Sequence, residues 1–155
     1  MAGFAMIGLH RPKDPANVGG VMRAAMCYGA SGVVVRGDRV RGTTLKAPTD
    51  TCKAYRHIPI IRSDIRSAIP FGAVPVAVDL VPDAESLADF IHPKQAFYIF
   101  GPEDGTLGRE ILDFCPRRVM IPTAYCMNLA ATVNVVLYDR LAKSTPPTPF
   151  SRGEG

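Results

Sequence analysis

Six short apolar runs, separated by stretches of helical spacing, constrain this chain more than any other feature. They are Phe4–Leu9, Val33–Val35, Ile58–Ile61, Val74–Leu80, Ala96–Phe100 and Val119–Ile121. Runs that are continuously apolar, rather than alternating, belong to strands covered on both faces, which is the setting of a parallel sheet between helical layers. The segments Val18–Tyr28, Asp64–Ile69, Glu85–Phe90 and Leu107–Phe114 carry helical spacing. A long final helix is expected from about Asn128 to Lys143, on an apolar stripe of Leu129, Val133, Val136, Leu137 and Leu141. The pattern predicts one α/β domain over residues 1–143, a mostly parallel sheet covered by helices on both faces. The run Ser144-Thr145-Pro146-Pro147-Thr148-Pro149 cannot continue a helix, so residues 144–155 are expected to be an extended or disordered tail.

A length of 155 residues suits one domain with a real core, and 47% hydrophobic with 21% charged residues is ordinary globular composition. No apolar run reaches the roughly 20 residues of a membrane helix. The opening Met1-Ala2-Gly3-Phe4-Ala5-Met6-Ile7-Gly8-Leu9 lacks the basic start of a signal peptide and reads as a first buried strand, which implies a cytoplasmic protein. Cys27, Cys52, Cys115 and Cys126 form no C-x-x-C pair and meet no histidine cluster, so neither a zinc site nor a disulfide framework is expected. Cys27 and Cys115 read as small core residues. The net charge of +4 permits a polyanionic partner without demanding one. Its densest basic group is Arg36, Arg39, Arg41 and Lys46, followed by Lys53, Arg56, Arg62 and Arg66.

Three segments place polar residues where an apolar run gives way to a turn or helix, the edge at which open α/β sheets bind ligands. The first is Asn17-Val18-Gly19-Gly20-Val21-Met22-Arg23. Asn17 is a suitable N-cap for the helix that follows. Two glycines in a first helical turn cost about 1 kcal/mol each relative to alanine, so close approach by something is expected there. Helical side chains lean toward their own N-terminus, so Arg23 reaches back toward Asn17, and an arginine beside an amide suits a phosphate and a ribose. The second is Phe100-Gly101-Pro102-Glu103-Asp104-Gly105, a turn carrying carboxylates. The third is Ile121-Pro122, followed by Cys126-Met127-Asn128-Leu129, in which Asn128 caps the last helix.

In order and content these segments resemble the three motifs of the SPOUT methyltransferases, in particular the SpoU/TrmH branch that methylates ribose 2′-hydroxyls of RNA. The resemblance spans nearly the whole chain. Two departures stand out: Gly105 comes one place early in the pattern Gly-x-Glu-x-x-Gly-Leu, and Cys126 occupies the position of a family serine. The resemblance implies a SPOUT fold with a C-terminal deep trefoil knot, a homodimer with interfacial active sites, and S-adenosylmethionine as cofactor. The catalytic residues it implies are Arg23, Asn17, Glu103, Asn128 and Cys126. The positions it matches to cofactor binding are Val78, Asp79, Leu80, Gly101, Ile121, Cys126, Met127 and Leu129, where apolar side chains flank the adenine and backbone amides read its edge. No metal is implied. The RNA is expected to be tRNA, and the resemblance to minimal TrmL-like members points to the anticodon wobble nucleotide. Two rivals stay open: a Rossmann-type nucleotide-binding module, against which the missing G-x-G-x-x-G speaks, and a non-catalytic RNA-binding relative that kept the fold.

Overall fold

The computed structural model describes residues 3–40 and 53–144, and the expectations placed on Arg41, Lys46, Cys52 and the tail beyond Ser144 lie outside them. Seven strands form one sheet: β1 (Phe4–His10), β2 (Val33–Arg36), β3 (Ile60–Arg62), β4 (Val74–Val78), β5 (Glu85–Ser86), β6 (Gln95–Phe100) and β7 (Arg117–Met120). Their order across the sheet is β3-β2-β1-β6-β4-β7-β5, and every pairing is parallel. The helices are α1 (Pro15–Cys27), α2 (Arg109–Leu112) and α3 (Leu129–Ser144).

Both faces of the sheet are buried, as the apolar runs predict. Ile7, Leu9, Val33, Val35, Val76, Val78, Tyr98, Phe100 and Val119 point to the face covered by α1 and α3, through Val18, Val21, Met22, Val133, Val136 and Leu137. Val34, Ala77, Phe97 and Ile99 point to the other face, against Ile65, Leu107, Ile111 and Cys115. Each fully buried aliphatic or aromatic side chain contributes about 1.5–3 kcal/mol. Alternate residues of one strand therefore hold two layers together.

Several local expectations are corrected. The N-cap of α1 is Asp14, whose Oδ1 accepts the Ala16 N–H at 2.9 Å with Pro15 opening the helix, so Asn17 lies inside the first turn. Glu85–Phe90 is not a helix: Glu85 and Ser86 pair with β7, and a 3₁₀ turn, Leu87–Asp89, follows. Asp64–Ile69 contributes a single 3₁₀ turn, Arg66–Ala68, and the Leu107–Phe114 helix shrinks to the four residues of α2. In both places the apolar spacing serves to seat one or two side chains (Ile65, or Leu107 and Ile111) on the sheet rather than to build a long amphipathic face. Cys27 ends α1 exposed rather than in the core, whereas Cys115 is buried. β4 stops at Val78 and β7 at Met120, which leaves Asp79, Leu80 and Ile121 in the loops beyond. Ser144 still belongs to α3.

One glycine of the α1 pair, Gly20, also finds its explanation. A Cβ on Gly20 would lie 2.8 Å from the Ala130 Cβ, so the something that approaches α1 closely is α3. No helix among the described residues is long and apolar enough to cross a membrane.

Candidate functional site

The strand register makes one edge level. Leu9 pairs with Phe100, Phe100 with Val78 and Val78 with Val119, so the residues that follow these four emerge side by side at the carboxyl ends of the central strands. The winding of the chain also reverses at this edge, between β1 and β6, because β1 continues to β2 on one side while β6 continues toward β7 on the other. Ligands of open parallel sheets bind at such a point.

A pocket opens there between three loops. Its walls include Val78, Asp79 and Leu80 after β4, Gly101, Pro102, Glu103 and Gly105 after β6, and Ile121, Thr123, Cys126, Met127 and Leu129 after β7. All eight positions matched to the cofactor thus line a single cavity. Leu80, Ile121, Met127 and Leu129 give it an apolar lining, and Asp79 and Glu103 place carboxylates in it.

Local hydrogen bonds shape this pocket. Asp79 Oδ1 accepts the N–H of Leu80 at 2.9 Å, and its Oδ2 accepts the N–H of Leu107 at 3.1 Å, so one carboxylate ties the loop after β4 to the loop after β6. Pro102 O accepts the Gly105 N–H at 3.4 Å, closing a turn around Glu103. That turn accommodates the early Gly105. Gly101 is closely packed: a Cβ there would sit 3.3 Å from the Leu107 nitrogen.

The five residues matched to catalysis are distributed differently. Glu103 and Cys126 line the pocket. Asn128 caps α3, with Oδ1 accepting the Ala131 N–H at 2.8 Å, and sits between the lining residues Met127 and Leu129. Asn17 and Arg23 lie on α1 and are not among the lining residues; Arg23 is exposed. The first motif is nevertheless joined to the second, since the Lys13 N–H donates to Glu103 Oε2 at 2.8 Å. Thr123 and Thr132 also line the pocket. Thr123 sits in the same post-β7 loop as the third motif, so its strand-end position was the available signal; Thr132, one turn into α3, gave none.

A second cleft lies across the same loop, lined by His10, Arg11, Arg36, Asp38, Arg39, Pro102, Leu107 and Glu110 among others. Arg39 grips Asp104 with both Nη atoms, at 2.8 and 3.0 Å, and this pairing holds the Asp104 carboxyl below its ordinary range. Burial pushes the His10 pKa down, against the opposing pull of Glu110. The motifs do not reach His10 and Arg11, although His10 ends β1 and Arg11 follows it at the same edge.

Known proteins resemble this chain over most of its length. The family model described as "SpoU rRNA Methylase family" matches residues 5–138. A protein of Archaeoglobus fulgidus, described as an uncharacterized tRNA/rRNA methyltransferase, is 30% identical over 144 residues, covering 88% of this chain and 63% of that protein. An AdoMet-bound rRNA methyltransferase from Sinorhizobium meliloti superposes with a TM-score of 0.82 at 25% identity, over 94% of this chain and 59% of that one. A chain solved for the 2-OH methylation of C/U34 on tRNA has a TM-score of 0.73 at 24% identity, over 90% of this chain and 95% of that one. The present chain spans 54% to 63% of the length of the curated relatives it matches.

Proposed function

The chain belongs to the SpoU rRNA methylase family, and on that footing we propose that it is an S-adenosylmethionine-dependent RNA methyltransferase acting on a ribose 2′-hydroxyl of tRNA, at the anticodon wobble nucleotide. The observation that carries this reading is the convergence of all eight cofactor-matched positions on one cavity at the level strand edge. The choice of a tRNA wobble ribose takes its support from the chain solved for C/U34 methylation on tRNA, which superposes on 90% of this chain.

The cavity suits the cofactor chemically. An adenine needs flat apolar contact, which Leu80, Ile121, Met127 and Leu129 offer, and a sulfonium is favoured near a carboxylate such as Glu103. When bound, S-adenosylmethionine supplies an electrophilic methyl group. The protein's task is then to orient the ribose oxygen, and orientation of reacting groups carries much of the rate in such transfers. We assign that task to Arg23 and Asn17, both on α1, as the groups that grip the ribose and its phosphate. A guanidinium keeps its proton at physiological pH, so Arg23 serves better as a positioning group than as the base. Glu103, anchored through Oε2 to Lys13, supports that arrangement from the pocket side. Asn128 and Cys126 belong to the same centre. A knotted path of the C-terminal segment, which the family resemblance implies, belongs to this reading.

We place the enzyme as a homodimer. Val135, Tyr138 and Leu141 form an exposed apolar row on α3, spaced by three residues, which a second copy would cover.

The test is nucleoside mass spectrometry on RNA from cells lacking the protein, followed by repair of that RNA in vitro. Loss of one 2′-O-methylnucleoside from the tRNA fraction, restored by wild-type protein and not by Arg23→Ala, is the expected result. Unchanged nucleosides, or full activity in Arg23→Ala, would overturn the assignment. Arg23 is exposed, so its removal should change stability by no more than about 0.5 kcal/mol.

A further inference from the structure

The cleft on the far side of the Gly101–Gly108 loop is built as carefully as the pocket. Arg11 holds a left-handed backbone, with φ 55°, which costs a non-glycine residue about 1–2 kcal/mol. Its N–H donates to Arg36 O at 2.6 Å, and its carbonyl accepts from Arg39 Nη2 at 2.7 Å. Gly37, with φ 119°, lets the chain pass close by: a Cβ there would lie 3.0 Å from the Arg11 Cα. Two hydrogen bonds and one glycine thus fix a conformation that the backbone alone disfavours.

The side chains on this frame bring Arg11, Arg36 and Arg39 together with Asp38 and Glu110 in the cleft and Asp104 beside it. Arg39 is neutralised by Asp104, but Arg11 lies 3.9 Å from Glu110, and the Arg36 guanidinium makes no ion pair within 4 Å among the described residues. Beneath them His10 is only 4% exposed. Its Nε2 is 2.9 Å from Glu110 Oε1, and a carboxylate accepts, so Nε2 carries the hydrogen and Nδ1 is a lone-pair acceptor. That Nδ1 is buried and has no partner among the described residues. A buried polar atom left unpaired costs about 1–3 kcal/mol, and such an atom needs an explanation.

We propose that this cleft is a nucleotide subsite for the RNA strand adjoining the methylated residue, with Arg11 and Arg36 gripping a phosphate and His10 Nδ1 accepting an O–H or N–H of that nucleotide. The cleft shares Pro102 and the loop that follows it with the cofactor pocket, so a strand held here continues over the loop toward the reacting ribose. Arg11, Arg36, Asp38, Arg39 and Glu110 put charged side chains in its walls, and arginines there suit a sugar–phosphate chain. The inference rests on the RNA-methylating reading but concerns different residues.

The test uses fluorescence anisotropy of fluorescein-labelled unfractionated tRNA, and of a labelled single-stranded RNA decamer, with the full chain. Arg11→Gln and Arg36→Gln should each weaken binding about fivefold or more and lower the salt-dependence slope by about one. Their affinity for S-adenosylhomocysteine, read by calorimetry, should stay unchanged. His10→Phe should weaken RNA binding by about two- to tenfold, the worth of one hydrogen bond, without altering the salt slope. If that variant fails to fold, the arginine pair decides. Wild-type affinity and slope in both arginine variants, or no RNA binding by the wild type, overturns the subsite. RNA binding that depends on the arginines without any methyl transfer would keep the subsite and sink the methyltransferase reading instead.

Discussion

The backbone N–H of Lys13 donates to Glu103 Oε2 at 2.8 Å, across 90 positions of chain. Lys13 precedes α1, on which Asn17 and Arg23 stand, and Glu103 lines the pocket. One hydrogen bond therefore sets the relation between the helix bearing the proposed substrate residues and the cavity proposed for the cofactor.

Glu103→Ala should separate these two parts. The freed Lys13 N–H is exposed and can bind water, so the melting temperature should barely move. Methyl transfer should fall about 10²-fold, the order of loss that a misplacement of roughly 1 Å produces. Because Glu103 carries charge as well as a bond, Glu103→Gln should recover part of the loss. A Glu103→Ala enzyme with normal turnover would mean that the bond positions nothing of consequence.

The layout of the sheet was legible in the chain because each long strand is apolar on both faces, and burial on both faces leaves that mark. The pair Glu85 and Ser86 carries no such mark, and its pairing to β7 depends on the neighbouring edge rather than on its own composition. The pocket positions were legible through the motif resemblance, since backbone-lined sites leave little side-chain signal of their own. The cap of α1 was not: Asp14 and Asn17 both suit an N-cap, and Pro15, which fits the first helical position, decides for Asp14. The His10 cleft was missed because its residues come from β1, β2 and α2, and no local spacing announces that convergence.

Gly20→Ala tests the close approach of α1 and α3. Alanine gains about 1 kcal/mol of helix propensity over glycine. Against that, its methyl would meet the Ala130 Cβ at 2.8 Å, and a Cβ cannot swing aside as a long side chain does. Overpacking of this kind costs about 1–3 kcal/mol, so the net change in urea denaturation should be destabilising. Adding Ala130→Gly should return part of the loss, seen as positive coupling in a double-mutant cycle. Additive effects would place the strain elsewhere.

Two buried histidines set the pH dependence of stability. His92 bonds Tyr98 Oη and Asp139 Oδ2, both at 2.7 Å, and burial lowers its pKa below the ordinary 6.5 although Asp139 pulls the other way. Lys143 shares that carboxylate at 2.8 Å. The His10 pKa shifts in the same direction. With folded-state values below 6.5, the unfolded chain takes up protons first as pH falls. Stability should be flat above neutrality, decline below about pH 6.5, and level off for these groups once the folded-state values are passed. Melting temperatures across that range check the sign. His92→Gln should start lower and decline less, and a steeper decline would contradict the assignment.

Cys126 offers a chemical probe of the pocket. It is exposed and lines the cavity, whereas Cys115 is buried and its thiol is pushed up to about 12. The thiolate is the reactive form, so Cys115 should stay inert toward Ellman's reagent at neutral pH. In a Cys27→Ser, Cys52→Ser background, labelling should therefore report Cys126 alone. Saturating S-adenosylhomocysteine should slow that labelling by about tenfold or more, since a ligand shields its site in proportion to occupancy. Cys126→Ser should abolish labelling yet keep methyl transfer within about tenfold of wild type, because it exchanges a weak hydrogen-bonding group for a stronger one of similar size. Equal labelling rates with and without the ligand would move the cofactor out of this cavity, even if the protein proved to be a methyltransferase.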